Sequence, residues 1–232
     1  MLLASSIAVK GQQIPDTSFR QEAISNLIQY YHTIIGLQAH LYNGPEYIAY
    51  PRPFTEGHQF FQTDTFENGS VSYDGLQYLN VALKLDIIRD ELVMLHPLNR
   101  FSVNLIKEKI DSFSFAGHSF TNIRDSRSDS ALQPGFYDQL YSSVSLKFLA
   151  KRIKYFQEMS ETTGISMKVY KKDRHFIVRN GRYHSINNKK SVMNVVKDKR
   201  SDMQKFINNN NLRFKKSLEE DVVKALVYYS QL

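Results

Sequence analysis

Apolar residues recur along this chain at two different periods, and the change from one to the other outlines the fold. Between Ser18 and Ile35, Phe19, Ala23, Leu27, Tyr31 and Ile34 recur every three to four residues, with Ile24, Ile28 and Ile35 widening the stripe. That spacing predicts an amphipathic helix. Ser18 and Gln21 have capping-box spacing, Glu22 falls in the first turn where the helix dipole favours an acid, and Gly36 supplies a stop. The stripe is a packing face. A helix lying on a membrane would carry Lys and Arg opposite it, and this one does not.

The period then becomes two. Gln77, Leu79, Val81, Leu83, Leu85 and Ile87 are expected on one face of an extended segment, with Tyr78, Asn80, Ala82, Lys84 and Asp86 on the other. Val93 and Leu95, then Phe101, Val103 and Leu105, then Phe113 and Phe115 continue the alternation. Short runs of this kind between turn signals predict an antiparallel sheet. Asn68-Gly69, Asp74-Gly75 and Ala116-Gly117 can adopt the positive φ angles of tight hairpins, and Pro97 and Asn99 suit a loop.

From Arg124 to Pro134 the pattern lapses into a polar run, a candidate boundary, although a single continuous sheet is preferred. Alternation resumes at Phe136, Val144, Leu146 and Phe148. A three-stranded piece is then expected over Ile165 to Tyr170, His175 to Arg179 and Arg182 to Ile186, with Asn180-Gly181 as the strongest hairpin signal. The helical period returns at Val192, Val195 and Val196. A second helix is expected from Ser201 and Gln204, with Met203, Phe206 and Ile207 inward, and a last one from Ser217 and Glu220, with Leu218, Val222, Ala225, Leu226 and Tyr229 as its stripe. The predicted class is α+β: a mainly antiparallel curved β-sheet with an N-terminal helix and C-terminal helices.

Composition narrows the chemistry. The chain has 232 residues, enough for a full core, and no cysteine. Disulfides, thiolate nucleophiles and Cys-ligated metal sites are thereby excluded. Residues 1–133 carry 10 Lys and Arg against 14 Asp and Glu, whereas residues 134–232 carry 20 against 9, so a −4 part precedes a +11 part and the whole is +7. The basic part suits an anionic surface or polyanion, but its lysines are spread rather than massed, which also describes a solvated surface.

No metal-hydrolase, nucleophile-elbow, phosphate-loop or dinucleotide motif occurs. No catalytic residue, metal site or cofactor is assigned. The seven histidines are scattered, and none pairs with another at the spacing that makes a local metal site. His58, beside Gly57, and His118, beside Gly117, sit where loops can present them, and a convergence of either with acidic residues would point to an enzyme. Of the adjacent acid pairs, Asp90-Glu91 reads as a turn and Glu219-Glu220 as helix N-terminal charge. Lys171, Lys172, Arg174, Arg179 and Arg182 alternate with aromatic residues over 168–183 and are the candidate ligand-binding cations. Phe176 and Val178 share one strand face and Ile177 takes the other, which favours a core role for Phe176 over base stacking. Nucleic acid is therefore the weaker partner, and no nucleic-acid signature is matched.

Residues 1–11 look like the remnant of an export signal. Met1 to Val9 is apolar or small, and Val9 and Gly11 occupy the −3 and −1 positions of a small-residue cleavage site before Gln12. The expected mature chain, 12–232, is a single α+β domain with a candidate internal boundary at 124–134. No other apolar run is long enough to span a membrane.

Four segments carry a family likeness: Leu41–Tyr47, Gly69–Gly75, Asp111–Phe120, and the ending from Asn211 to Leu232. Together the chain after residue 11 resembles a set of exported proteins of Bacteroidota that have no assigned activity. The resemblance implies a bacterial envelope context and carries over no site residues. The expectation is an exported cell-envelope protein that binds an envelope protein or ligand, or helps an assembly, without catalysis. Two alternatives are a carrier holding an apolar or amphiphilic ligand in a half-barrel and a basic nucleic-acid-binding protein.

Overall fold

The sheet grows by hairpins, each closed by a residue pair able to hold positive φ. Asp74-Gly75 (φ 54° and 78°) joins β1 (Glu67–Tyr73) to β2 (Leu76–Asp86). Ala116-Gly117 (50° and 75°) joins β5 (Ile110–Phe115) to β6 (His118–Ile123). Asn180-Gly181 (51° and 74°) joins β11 (Arg174–Arg179) to β12 (Arg182–Ile186). These are the turns expected of such dipeptides, because two successive positive φ angles match the twist of the flanking strands. The remaining strands are β3 (Glu91–Leu95), β4 (Ser102–Asn104), β7 (Gly135–Ser142), β8 (Leu146–Lys151), β9 (Lys154–Glu161) and β10 (Gly164–Lys171). Helices α1 (Lys189–Val195), α2 (Arg200–Asn209) and α3 (Leu218–Tyr229) follow. The computed structural model describes Ile24 and residues 40–124, 132–161 and 164–232. The expected signal remnant and N-terminal helix otherwise lie outside the described residues.

Ten strands form one curved antiparallel sheet in the order β12-β11-β8-β7-β6-β5-β1-β2-β3-β4. The chain is an α+β protein with C-terminal helices packed on a mainly antiparallel sheet. Strands β6 and β7 pair directly, Phe120 against Asp138 and Ile123 against Gly135, so the sheet runs across the polar stretch at 124–134. Residues 40–232 form one unit.

Three local expectations are corrected. Asn68-Gly69 is not a turn but lies within β1. A side chain at Gly69 would meet the backbone of Ser114 on β5, so close strand approach explains the glycine. The alternation in β2 breaks at Asn80, whose φ is 56°, where the register against β1 shifts. The bulge turns Tyr78 inward (6% exposed) and Leu79 outward (46%), the reverse of the pattern, while Leu83 and Leu85 beyond it face the core as expected. Val144 lies in the β7–β8 turn, fully exposed, whereas Phe136, Leu146 and Phe148 are buried.

The three-stranded piece expected over 165–186 does not form. β11 and β12 pair as a hairpin, and β11 continues onto β8. β10 instead pairs with β9 in a separate two-stranded arm inserted between β8 and β11. Residues 55–57 run along the other edge of β10: Thr55 N donates to Met167 O at 2.9 Å and Val169 N to Glu56 O at 3.1 Å. β9 and β10 thus form one hairpin and β11 and β12 another, and β10 and β11, although consecutive, do not pair.

The two faces of β11 pack as its alternation requires. Ile177 joins Leu146, Phe148 and Ile186 under the C-terminal helices, against Val192, Met203, Ile207, Val222 and Leu226. Phe176 takes the opposite face with Leu132, Tyr137 and Leu149. Helix α1 begins with a capping box between Asn188 and Ser191 that the periodicity did not reveal. The expected caps at Ser201 and Ser217 are absent. α2 starts one residue before Ser201, and Ser217 makes no side-chain cap.

Candidate functional site

Strand register stacks Phe120, Asp138, Ala150 and His175 in one row across β6, β7, β8 and β11. The row ends beside the first turn of α3, and a charged cluster assembles there. Asp138, the one charged residue of β7, is 1% exposed, and Arg152, the residue after β8, is 6% exposed. Ions so deeply placed persist only when paired and hydrogen-bonded. Arg152 donates to Asp138 Oδ2 through Nε (2.9 Å) and a terminal nitrogen (2.6 Å), to Asp173 Oδ2 (2.7 Å), and to both oxygens of Glu219 (2.6 and 3.0 Å). His175 Nε2 lies 2.7 Å from Glu219 Oε1.

His118 completes the cluster. Its Nδ1 is 2.9 Å from Asp138 Oδ2, and its Nε2 is 2.8 Å from the side-chain nitrogen of Gln62. An amide nitrogen only donates, so Nε2 accepts and Nδ1 carries the proton that Asp138 receives. The Phe61 ring meets the imidazole edge-on at 4.9 Å. Of the convergence with acidic residues that would point to an enzyme, the structure shows one contact, between His118 at the start of β6 and Asp138. General base catalysis needs one ring nitrogen free to reach a proton on a substrate, and here both are held by the protein itself. The cluster fastens helix α3 and the β10–β11 connection to the centre of the sheet.

His58 does not join it. Its Nδ1 accepts from Phe60 N at 3.2 Å, and burial together with the nearby Lys154 ammonium lowers its pKa. Of the candidate cations, Lys171 pairs with Asp173 (3.1 Å). Arg179 makes two bonds to Asp198 (2.8 and 3.1 Å) and donates to Val195 O at the end of α1. Lys172, Arg174 and Arg182 are exposed. Of the five candidate cations, two are therefore held by carboxylates of the chain itself and three are not. The apolar space a half-barrel carrier would need is filled over β8, β11 and β12 by α1–α3.

The network was missed in the sequence because its members are far apart; Arg152 and Glu219 are 67 residues apart. The available signal was Asp138 itself, an acid inside the run Gly-Phe-Tyr-Asp-Gln-Leu-Tyr. Two further acids, the buried Asp86 and the half-buried Asp90, were equally silent. Asp86 accepts from Tyr47 (2.8 Å), Tyr50 (3.1 Å) and the backbone of Ile88 and Arg89. Asp90 holds Lys107 (2.5 Å) and Lys151 (2.7 Å) rather than merely marking a turn.

Electrostatics at Glu219 give a measurable consequence. Partial burial opposes its ionisation, but hydrogen bonds from His175 and Arg152 outweigh that and hold the carboxyl at about 2, against 4.5 ordinarily. A depressed folded-state pKa contributes stability above pH 4.5 that is lost as pH falls towards 2. A third of the side chain is exposed, so the discounted contribution is about 1–2 kcal/mol. The urea midpoint of the wild type should fall more steeply than that of Glu219→Gln between about pH 6 and about pH 2. Parallel pH profiles would show that the pair contributes nothing.

No group of His, Asp and Glu among the described residues is arranged to hold a metal ion. No described helix is long and apolar enough to cross a membrane. No family model, curated protein or solved structure matches the chain.

Proposed function

We propose that this chain is an exported cell-envelope protein that acts by binding, through the β9–β10 arm, rather than by catalysis. The arm is the observation that carries the reading. It stands outside the ten-stranded sheet, yet four of the twelve large apolar side chains exposed among the described residues are on it: Tyr155, Phe156, Ile165 and Tyr170. Tyr155 and Tyr170 stack at 5.6 Å, and Phe156 packs against Phe54 and Tyr50. Lys168 and Lys171 lie on the same strand, paired at their tips with Glu56 and Asp173. Exposed aromatics rimmed by charge are the composition of a contact surface. The signal-like residues 1–11 and the likeness to exported proteins of Bacteroidota support the envelope setting.

Intact mass and cell fractionation test the setting. The mature chain should start near Gln12 and be recovered with the envelope, and a full-length chain in the cytosol would overturn the proposal. A Tyr155→Ser/Tyr170→Ser variant tests the arm. Envelope association should fall about 10-fold, the effect of losing one aromatic anchor, with the melting temperature unchanged. Unchanged association would remove the arm from the account.

A further inference from the structure

We infer that the cleft at the β10–β11 connection is a binding site for a phosphate group, distinct from the aromatic face of the arm. Lys172 and Arg174 line an opening of about 470 Å³ together with Gln133, Phe176, Ser185 and Asn187. That volume falls within the range of small-ligand sites.

The chemistry of the lining points to an anion. Asp173 is the only carboxylate in it, and its oxygens are taken by Arg152 (2.7 Å), Lys171 (3.1 Å) and the backbone N–H of Ile153 (3.2 Å). It therefore cannot neutralise its two neighbours in sequence. Among the described residues, Lys172 and Arg174 have no ion-pair partner, and the side chains of Gln133, Ser185 and Asn187 have no hydrogen-bond partner. In this part of the chain Lys151, Arg152, Lys168, Lys171 and Arg179 are paired with carboxylates, and other cations, such as Lys215 and Lys216, are unpaired on open surface. The cleft differs in that, among the described residues, two unpaired cations and three unpartnered neutral side chains line one concavity.

The frame is rigid. Arg174 opens β11 opposite Lys151 of β8, and Ser185 on β12 is the register partner of Phe176, which is buried at the cleft floor. A guanidinium offers two parallel donors to an oxyanion, an ammonium adds a point charge, and hydroxyl and amide groups reach the remaining oxygens. More donors converge than a two-oxygen carboxylate can accept in one plane, which favours a tetrahedral phosphate. The phosphate can belong to a soluble ester or to a lipid headgroup.

Amide NMR titration of the full chain with inorganic phosphate tests the site. Resonances of Arg174, Ser185 and Asn187 should shift and saturate with a Kd of about 1–10 mM. Lys172→Gln/Arg174→Gln should weaken binding at least ~10-fold without unfolding, since both side chains are exposed. Lys215→Gln/Lys216→Gln, which removes the same charge from an exposed linker, should leave it unchanged. Co-sedimentation with phosphatidylcholine vesicles, with and without phosphatidylglycerol, separates the sources. Phosphate binding with loss of vesicle binding in the cleft variant assigns a lipid headgroup, and phosphate binding without vesicle binding assigns a soluble ester. Absence of saturable phosphate binding, or an equal loss in both charge variants, would overturn the inference.

Discussion

Arg152→Met should destabilise the protein by about 3–5 kcal/mol, the range for removing one partner of a buried ion pair. Methionine fills most of the volume of the arginine stem, so little of this loss comes from a cavity. The cost is electrostatic: Asp138, Asp173 and Glu219 would face one another without the guanidinium that now bonds all three. Asp138 suffers most, because its Oδ1 has no partner among the described residues and its Oδ2 would retain only His118. Urea unfolding followed by far-UV circular dichroism measures the loss, the chain having no tryptophan to report by fluorescence. Replacing both ions, Arg152→Met with Asp138→Leu, should recover part of it, with a coupling of about 1–3 kcal/mol. A single-variant loss below about 1 kcal/mol would mean that water, rather than arginine, compensates the carboxylates.

Gly135→Ala should cost about 3 kcal/mol, a fall in Tm of about 6–12 °C for a unit of this size. Two effects add. Gly135 opens β7 at φ +137°, where a β-carbon is strained, and that carbon would collide with the carboxylate of Asp90 and the ammonium of Lys151. Those groups cannot simply step aside. Asp90 also binds Lys107 and the backbone N–H of Phe136, and burial already pulls the Lys151 pKa down against the opposing pull of Asp90. Gly164→Ala separates the terms. Its φ is +134°, close to that of Gly135, but a β-carbon there meets nothing within 4 Å, so only backbone strain of about 1–2 kcal/mol should appear. Equal costs at the two glycines would show that the Asp90 cluster yields to the methyl group.

The site was partly legible. Proximity to a turn glycine picked out His118, and the structure does bring it to Asp138, whereas His58 has no hydrogen bond to an acid among the described residues. Lys172 and Arg174 were visible as candidate cations, but nothing local showed that they would stay unpaired while Lys171 and Arg179 would not. That difference depends on Asp173 turning inward to Arg152 and on Asp198 arriving from the segment after α1.

Where neighbouring residues alone decide a turn or a strand face, as at Asn180-Gly181 and along β11, the sequence determined it by itself. Asn180-Gly181 forms a hairpin because both residues tolerate positive φ, and Phe176 and Ile177 part to opposite layers because strand side chains alternate. Pairing between strands is decided by competition among distant edges. Only the tertiary structure showed that β10 leaves β11 for β9, that Asn80 bulges and turns Tyr78 inward, and that Asp138, Arg152 and Glu219 meet. Alternation says that a strand has an inner face, but not which carboxylate across the fold will be waiting for the arginine it delivers there.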